Sequence, residues 1–103
     1  MQKVNPWRSK KYLAWVKSQY CCETMQQADD AHHVIGVLGG GMGTKPHDLF
    51  TMPLARNIHT ELHSYGVEQW ENMHSTNQAE QVLRTLNNAI NNGVIEIKFT
   101  ESK

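Results

Sequence analysis

Four of the histidines lie in two short stretches, DDAHHVIG at residues 29–36 and HTELH at residues 59–63. The β-branched residues that follow the first pair predict a strand or hairpin arm from Ala31 to Leu38. Consecutive side chains of a strand point to opposite sides, so the tandem histidines should face different surroundings. The second stretch lies in a predicted helix from Asn57 to Tyr65 that Gly66 closes. Its histidines are four residues apart and share one helix face, where one metal ion can contact both.

These four residues are His32, His33, His59 and His63. Either pair alone is a weak signal, because such pairs more often lie on a surface than around an ion. Together, a hairpin with His-His and a helix with His-x-x-x-His form a ββα-metal arrangement. Three imidazoles then hold one divalent cation and the fourth is free to act as a general base. Phosphodiester hydrolysis requires these parts.

A glycine-rich segment, GGGMGTK at residues 39–45, precedes a second predicted strand at Leu49–Met52 that Pro53 ends. It is not a phosphate-binding loop, because that loop requires the order Gly-Lys-Ser/Thr, and here Lys45 follows Thr44. We interpret the segment as a flexible hairpin connection. In a looser role, its bare backbone and Lys45 would let a nucleic-acid backbone approach closely.

Helical periodicity accounts for much of the remaining chain. Ser9 to Gln19 predicts an amphipathic helix that opens at either Asn5 or Ser9. A loop is predicted at residues 21–30. Helical spacing resumes at the positions Val67, Trp70 and Met73.

The clearest helix lies near the end of the chain. Its predicted apolar face consists of Ala79, Val82, Leu83, Leu86, Ala89 and Ile90. Ser75 and Gln78 fit a capping box at its start, and Gly93 fits its stop. The alternating segment Val94–Phe99 then predicts an edge strand or a dimer contact.

Length and composition predict one globular domain over residues 1–103, with 39% hydrophobic and 19% charged residues. Its predicted parts are a basic helical arm at 1–20, an α+β core at 28–66 and helices at 67–93. No apolar run is long enough to span a membrane, and the N-terminus has no hydrophobic signal region. We therefore expect a cytoplasmic protein without membrane contact.

Charge is divided unevenly along the chain. Residues 1–20 carry five basic residues and no acidic one, whereas residues 21–103 carry five basic and ten acidic residues. A basic arm on an acidic body favours a polyanionic partner or a self-complementary contact, and a solvated helix face is an equal alternative. The candidate phosphate contacts of the arm are Arg8, Lys10, Lys11 and Lys17.

Over roughly residues 9–95, the chain resembles the small HNH endonucleases that phages and prophages encode. The matching segments are DDAHHVIG at 29–36, GGMGTK at 40–45, HDLF at 47–50, Pro53-Leu54, Arg56, His59-x-Glu61-Leu62-His63, Leu83-Arg84-Thr85-Leu86 and Gly93-Val94-Ile95. The resemblance implies an α+β fold with a ββα-metal core, a basic N-terminal helix and C-terminal helices.

The resemblance also implies a role for each matching residue. His33 corresponds to the general base, His32 to the metal ligand before it, and His59 and His63 to the two ligands on the helix. Asp48 stands nearest to the middle asparagine of the HNH pattern, which orients the base. An aspartate is a departure there, and it can instead simply cap a turn.

A second departure concerns the structural zinc knuckle that relatives commonly carry. Its four ligand positions correspond here to Cys21, Thr24, Ala55 and Ile58, of which three cannot bind zinc. We hypothesise that the knuckle is lost and that Ala55 and Ile58 pack with Met25 as a small apolar cluster. Cys21 is then a relic or a small core residue.

The expected function is that of a metal-dependent endonuclease that cuts or nicks DNA in the cytoplasm of a bacterial host. One divalent ion (Zn²⁺, Ni²⁺, Mn²⁺ or Mg²⁺) is its expected cofactor. The resemblance implies products with a 5′-phosphate and a 3′-hydroxyl. Arg56 is expected either to clamp a phosphate or to face solvent.

Two other functions are compatible with the same residues. The protein is then a catalytically weak DNA-binding or recombination accessory factor, or a protein-interaction module that acts against host defence. A homodimer, or a protein partner in phage recombination or defence, fits these alternatives. A requirement for His33 distinguishes the endonuclease from both alternatives, because hydrolysis alone requires an unligated imidazole beside the ion.

The loss of the knuckle predicts the metal content of the protein. Elemental analysis is expected to give one tightly bound transition-metal ion per chain, because one set of ligands is complete and the other is not. Two tightly bound zinc ions per chain would contradict this prediction.

Overall fold

A computed structural model describes residues 7–34 and 46–100. In that part of the chain, four helices and one two-stranded antiparallel sheet form a small α+β domain. The elements are α1 (Lys10–Lys17), β1 (Asp30–His33), β2 (Thr51–Leu54), α2 (Arg56–Tyr65), α3 (Val67–His74) and α4 (Gln78–Asn91). The glycine-rich segment, Lys45 and Asn5 lie outside the described residues.

Helix α1 opens at Ser9, whose hydroxyl accepts a hydrogen bond from the Tyr12 amide at 3.1 Å. This is the second of the two predicted openings. Tyr12 and Val16 are buried on one face of the helix, and Lys10, Lys11 and Lys17 are exposed. The predicted amphipathic pattern is therefore confirmed, although the helix ends at Lys17.

The sheet pairs β1 with β2 so that His32 lies opposite Met52 and His33 opposite Thr51. Pro53 lies inside β2, whereas the sequence predicted that it would end the strand. The Pro53 carbonyl accepts from the Cys22 amide, on the side away from β1. The missing N–H of proline therefore lies at an edge and interrupts no bond of the ladder.

Gly66 separates α2 from α3, as its position in the sequence predicted. Its φ of +86° lies in the left-handed region, which glycine adopts without a steric cost. In α3, Trp70 is buried, while Val67 and Met73 are exposed.

The predicted capping box of α4 is wrong. Asn77 caps the helix, and its side chain accepts from the Glu80 amide at 3.1 Å. Ser75 instead ends α3 with a φ of +50°, and Gln78 is the first residue of α4. Because Ser75 completes one helix, its backbone is not extended as an N-cap requires. Gly93, with a φ of +71°, follows the end of α4 as predicted.

The buried face of α4 also differs from the predicted one. Val82 and Ala89 are buried, but Leu83 is 65% exposed and Ile90 is also exposed. The buried polar residues on the helix are Gln78, Gln81 and Thr85. Each of them has a hydrogen-bond partner inside the protein, so polar groups occupy a face that an apolar pattern does not reveal.

The segment after α4 forms no strand within the described part of the chain, which corrects the edge strand predicted for Val94–Phe99, while the dimer contact stays a prediction. The amides of Val94 and Ile95 instead donate to the Ala89 carbonyl and close the helix. The side chains of Ile97 and Phe99 are exposed. An alternating segment becomes a strand only beside a pairing partner, and no other described strand pairs with it.

Two apolar clusters form the core, one between the sheet and α2–α4, the other between α1 and α4. Cys21 is buried in the first cluster with Ala55 and Ile58, as a small core residue. Met25 is 75% exposed and does not join them, which corrects that part of the prediction. Among the described residues, no helix has both the length and the apolar character needed to cross a membrane.

His74 is half-buried, and its ring is paired with two carboxylates. Its Nε2 contacts Glu61 of α2, and its Nδ1 lies 3.7 Å from an Oε1 of Glu23. Its ring also packs against Trp70. Because these partners come from separate segments, His74 links the turn before β1 to α2 and α3.

Replacing His74 tests this link. The Glu23 side chain is only 8% exposed, so His74→Phe should leave a carboxylate poorly solvated. We expect the free energy of unfolding in urea to fall by about 1–3 kcal/mol. The exposed His63 provides a control, because a surface change such as His63→Phe should alter stability by less than about 0.5 kcal/mol. Equal losses in the two metal-free variants would contradict the link.

Candidate active site

The two histidines of β1 point to opposite sides of the strand, as the alternation predicted. His32 lies beside His59 and His63 of α2. His33 contacts Asp48, which lies just before β2. The tandem pair therefore contributes to two separate groups, a three-imidazole cluster and a histidine–aspartate pair.

The three-imidazole cluster brings together His32, His59 and His63, the predicted metal ligands. The His59 Nε2 lies 3.1 Å from both the His32 Nδ1 and the His63 Nε2. Nitrogens bound tetrahedrally to one ion at zinc distances would lie about 3.3 Å apart. Both of these distances are close to that value, and all three ligand nitrogens lie within 4.8 Å of one another.

The position of α2 against β1 follows from two aspartates. Asp29 accepts from the Arg56 amide at 2.7 Å and so satisfies the first turn of α2. Asp30 accepts from the His59 Nδ1 at 2.9 Å. Because these aspartates directly precede the tandem histidines, the same short segment supplies ligands and fixes the helix that carries the others.

Hydrogen bonds at the outer ring nitrogens determine which nitrogens face the cluster centre. A carboxylate only accepts, so the His59 Nδ1 carries the hydrogen that Asp30 receives, and Nε2 has a lone pair when the ring is neutral. The His32 Nε2 lies 3.0 Å from the Oε1 of Gln78, an acceptor, so its Nδ1 also has a lone pair. Two lone pairs that face each other at 3.1 Å are repulsive unless a proton or a cation lies between them. This donor set suits a metal ion, because outer hydrogen bonds of this kind orient metal-ligating histidines.

Asp30 is held ionised by its neighbours. The Arg56 guanidinium, bonded to both carboxylate oxygens at 3.0 Å, lowers the pKa of Asp30 despite partial burial, and the bond from His59 adds to the effect. The Arg56 side chain remains 71% exposed. It therefore supports Asp30 while it faces solvent, as one of the two alternatives predicted, and the phosphate contact stays a prediction.

Burial keeps His32 in its neutral form, whereas the neighbours of Asp30 keep that residue charged. Its removal from solvent lowers the pKa of the imidazole to about 4. His32 is therefore neutral near pH 7, and a proton does not compete for the lone pair that a metal ion would use.

The histidine–aspartate pair is equally well defined. The His33 Nε2 donates to Asp48 at 2.8 Å, and the other carboxylate oxygen accepts from the Ser9 amide at 2.8 Å. Arg8 lies 3.1 Å from Asp48. Burial would raise the pKa of Asp48, but the bonds from His33, Ser9 and Arg8 together hold it below its usual value. With Nε2 as the donor, the neutral His33 has its lone pair on Nδ1.

These contacts place Asp48 in a position to orient the His33 ring. Its side chain bonds to α1 and to β1, so it does more than cap a local turn. Arg8 donates to Asp48 and to the Pro46 carbonyl, which places this residue of the basic arm beside the pair. Lys10, Lys11 and Lys17 are exposed farther along α1, and Lys45 lies outside the described residues.

Sequence reasoning assigned no role at the site to Asp29, Asp30 or Gln78. The two aspartates belong to the quoted stretch before the histidines, but spacing alone does not reveal what a carboxylate contacts. Gln78 lies 46 residues from His32 in the chain, and no local pattern links them.

The low pKa of His32 predicts a pH dependence of stability in the metal-free protein. In the unfolded chain His32 binds a proton below about pH 6.5, whereas in the folded protein it stays neutral down to about pH 4. Acidification between these values therefore favours unfolding. Between pH 7 and pH 4.5, we expect this to cost about 2 kcal/mol. Urea unfolding should show a weaker decline in His32→Asn than in wild type, whereas the control His47→Asn should retain the wild-type decline, because His47 lies outside the histidine cluster. Parallel pH profiles for wild type and His32→Asn would refute this assignment.

Comparison with known proteins gives a family and one relative. The family described as "Protein of unknown function (DUF968)" matches residues 1–93. A protein of Escherichia coli (strain K12), described as "Uncharacterized protein YdfU", is 43% identical over 95 residues, which cover 92% of this chain and 27% of that protein. The chain thus spans about a quarter of the length of this relative. No solved structure matches the chain. Because the family match covers nearly all of the sequence, the chain belongs to the DUF968 family.

Proposed function

We propose that this protein is a metal-dependent endonuclease of the HNH type, which hydrolyses phosphodiester bonds of DNA. In this proposal, β1, β2 and α2 form a ββα-metal core. The observation that carries the proposal is that the tandem histidines of β1 belong to two different groups of side chains. His32 joins a three-imidazole cluster, while the adjacent His33 is held by a buried carboxylate and is not among those imidazoles.

The proposed chemistry uses His33 as the general base. Its Nδ1 takes a proton from a water molecule, whose oxygen forms a bond to phosphorus as the bond to the 3′-oxygen breaks. Asp48 holds the ring through Nε2 and stabilises the imidazolium that forms. The products then carry a 5′-phosphate and, after protonation of the leaving oxygen, a 3′-hydroxyl.

His32, His59 and His63 would hold the divalent ion. When bound, the ion supplies positive charge that stabilises the phosphoryl and leaving oxygens. Asp30 and Gln78 keep the ring nitrogens of His59 and His32 turned toward the centre of the cluster. Three imidazoles favour zinc or nickel in affinity, while manganese or magnesium can be the ion that supports turnover.

The basic arm supports DNA as the substrate. Lys10, Lys11 and Lys17 are exposed on α1, and Arg8 connects the start of that helix to Asp48. Phosphate contacts from such residues are independent of base sequence and weaken as salt increases. The arm would therefore hold a DNA backbone beside His33.

A supercoiled-plasmid assay tests the proposal. Metal-stripped protein receives Mg²⁺, Mn²⁺, Ni²⁺ or Zn²⁺ separately, and open circles are quantified. Wild type is expected to nick with at least one ion. His33→Ala should be at least about 100-fold slower, because it lacks the base, and Asp48→Asn should be slowed by a smaller factor. His47→Ala serves as the control, since His47 contacts the Trp7 amide and Phe50 rather than either histidine group.

Two outcomes would overturn the catalytic proposal. In one, wild type fails to cut with any of the four ions. In the other, wild type and His33→Ala cut equally. A DNA-binding accessory role or a protein-interaction role would then be tested by binding measurements on the same variants.

A further inference from the structure

Gln78 is a buried polar residue at the start of α4. Its side chain is only 5% exposed, and its Oε1 lies 3.0 Å from the Nε2 of His32. A buried amide oxygen that meets one ring nitrogen of a candidate metal ligand constrains the other ring nitrogen. Gln78 therefore contacts the cluster without being one of its three imidazoles.

The contact selects both the tautomer and the orientation of the His32 ring. The amide oxygen accepts, so the hydrogen of the neutral ring lies on Nε2 and the lone pair on Nδ1, which faces His59. A half-turn of the ring would exchange each nitrogen with a carbon. It would remove Nδ1 from the cluster and leave the Gln78 oxygen, in a buried position, without its donor.

The position of Gln78 is fixed by a hydrogen bond from its backbone amide. Its amide donates to an Oε2 of Glu71 in α3 at 2.7 Å. The residue before it, Asn77, caps α4. The amide oxygen is consequently presented to His32 from a fixed helix start rather than from a flexible loop.

We propose that Gln78 is a positioning residue for His32, and that the docking of α4 thereby completes the metal site formed by β1 and α2. This inference rests on the metal site of the proposed function. It adds a third element to that site and a residue that binds neither the ion nor the substrate.

Gln81 provides a matched comparison on the same helix. It is also a buried glutamine, but its amide nitrogen donates to the Thr76 hydroxyl at 2.8 Å and contacts no histidine of the cluster. If Gln78 merely filled space and satisfied a polar group, Gln78→Leu and Gln81→Leu would have the same effects.

Zinc affinity separates a positioning role from a structural one. Dissociation constants for Zn²⁺ are measured on the full chain by competition with a chromophoric chelator, and stability by urea unfolding. Gln78→Leu is expected to bind Zn²⁺ about 10- to 100-fold more weakly than wild type. Gln78→Glu should remain within a few-fold of wild type, because a carboxylate accepts the same hydrogen. Gln81→Leu should retain the wild-type affinity even if its stability falls.

A second measurement requires no metal. In the metal-free protein, NMR should detect a hydrogen-bonded, slowly exchanging Nε2–H of His32 in wild type and in Gln78→Glu. In Gln78→Leu this proton should exchange rapidly, because its acceptor is gone, whereas Gln81→Leu should leave it protected.

Failure of the proposed role of Gln78 and failure of the metal site would give different results. Tight and equal zinc binding by wild type and Gln78→Leu would overturn the role of Gln78 and leave the metal site intact. Absence of zinc binding by wild type would overturn the metal site, and with it the completion of that site by α4. A His32 Nε2–H that exchanges rapidly in metal-free wild type would overturn the orientation of the ring by Gln78.

Discussion

The pleat of β1 places Asp30 and His32 on the side of the strand that faces α2, and His33 on the other side. Residues two apart in a strand share a face, so this separation follows from backbone geometry alone. On one face, Asp30 holds His59 while His32 lies beside it. The opposite face delivers His33 to Asp48. A strand of four residues thus builds two chemically distinct groups from one histidine pair.

Carboxylates connect the elements of this small domain as much as apolar packing does. Asp29 joins β1 to the start of α2, Asp48 joins the start of α1 to β1, and Glu71 joins α3 to the start of α4. In each case the carboxylate accepts from a backbone amide near the first turn of a helix, where amides lack partners within the helix. Negative charge at these positions also interacts favourably with the helix dipole. The same contacts orient the side chains around the candidate site.

Local patterns predicted the parts of the fold that local energetics determine. The helix from Arg56 to Tyr65, its end at Gly66 and the amphipathic face of α1 all follow from spacing and from the conformational freedom of glycine. The histidine cluster was also predictable, because His59 and His63 share a helix face. Their grouping with His32 depended on the paired pattern and on the resemblance to a family.

Features that depend on distant partners were not predictable in this way. The alternating segment Val94–Phe99 has the composition of a strand, yet its first amides close α4. Leu83 and Ile90 fit an apolar face, but the buried face of α4 is rotated toward polar partners such as Gln78 and Thr85. Sequence spacing records neither where a helix docks nor which buried polar groups find partners there.

The apolar packing of Cys21 with Ala55 and Ile58 separates folding from metal supply. A turn held by zinc folds only as its thiolates bind the ion, so its stability depends on metal availability and on reduced cysteines. Here the same region is held by the apolar packing of buried side chains, which requires no bound ion. The folding of this region therefore does not depend on a structural metal ion. Under the proposed function, metal scarcity would limit the activity of the site rather than the amount of folded protein.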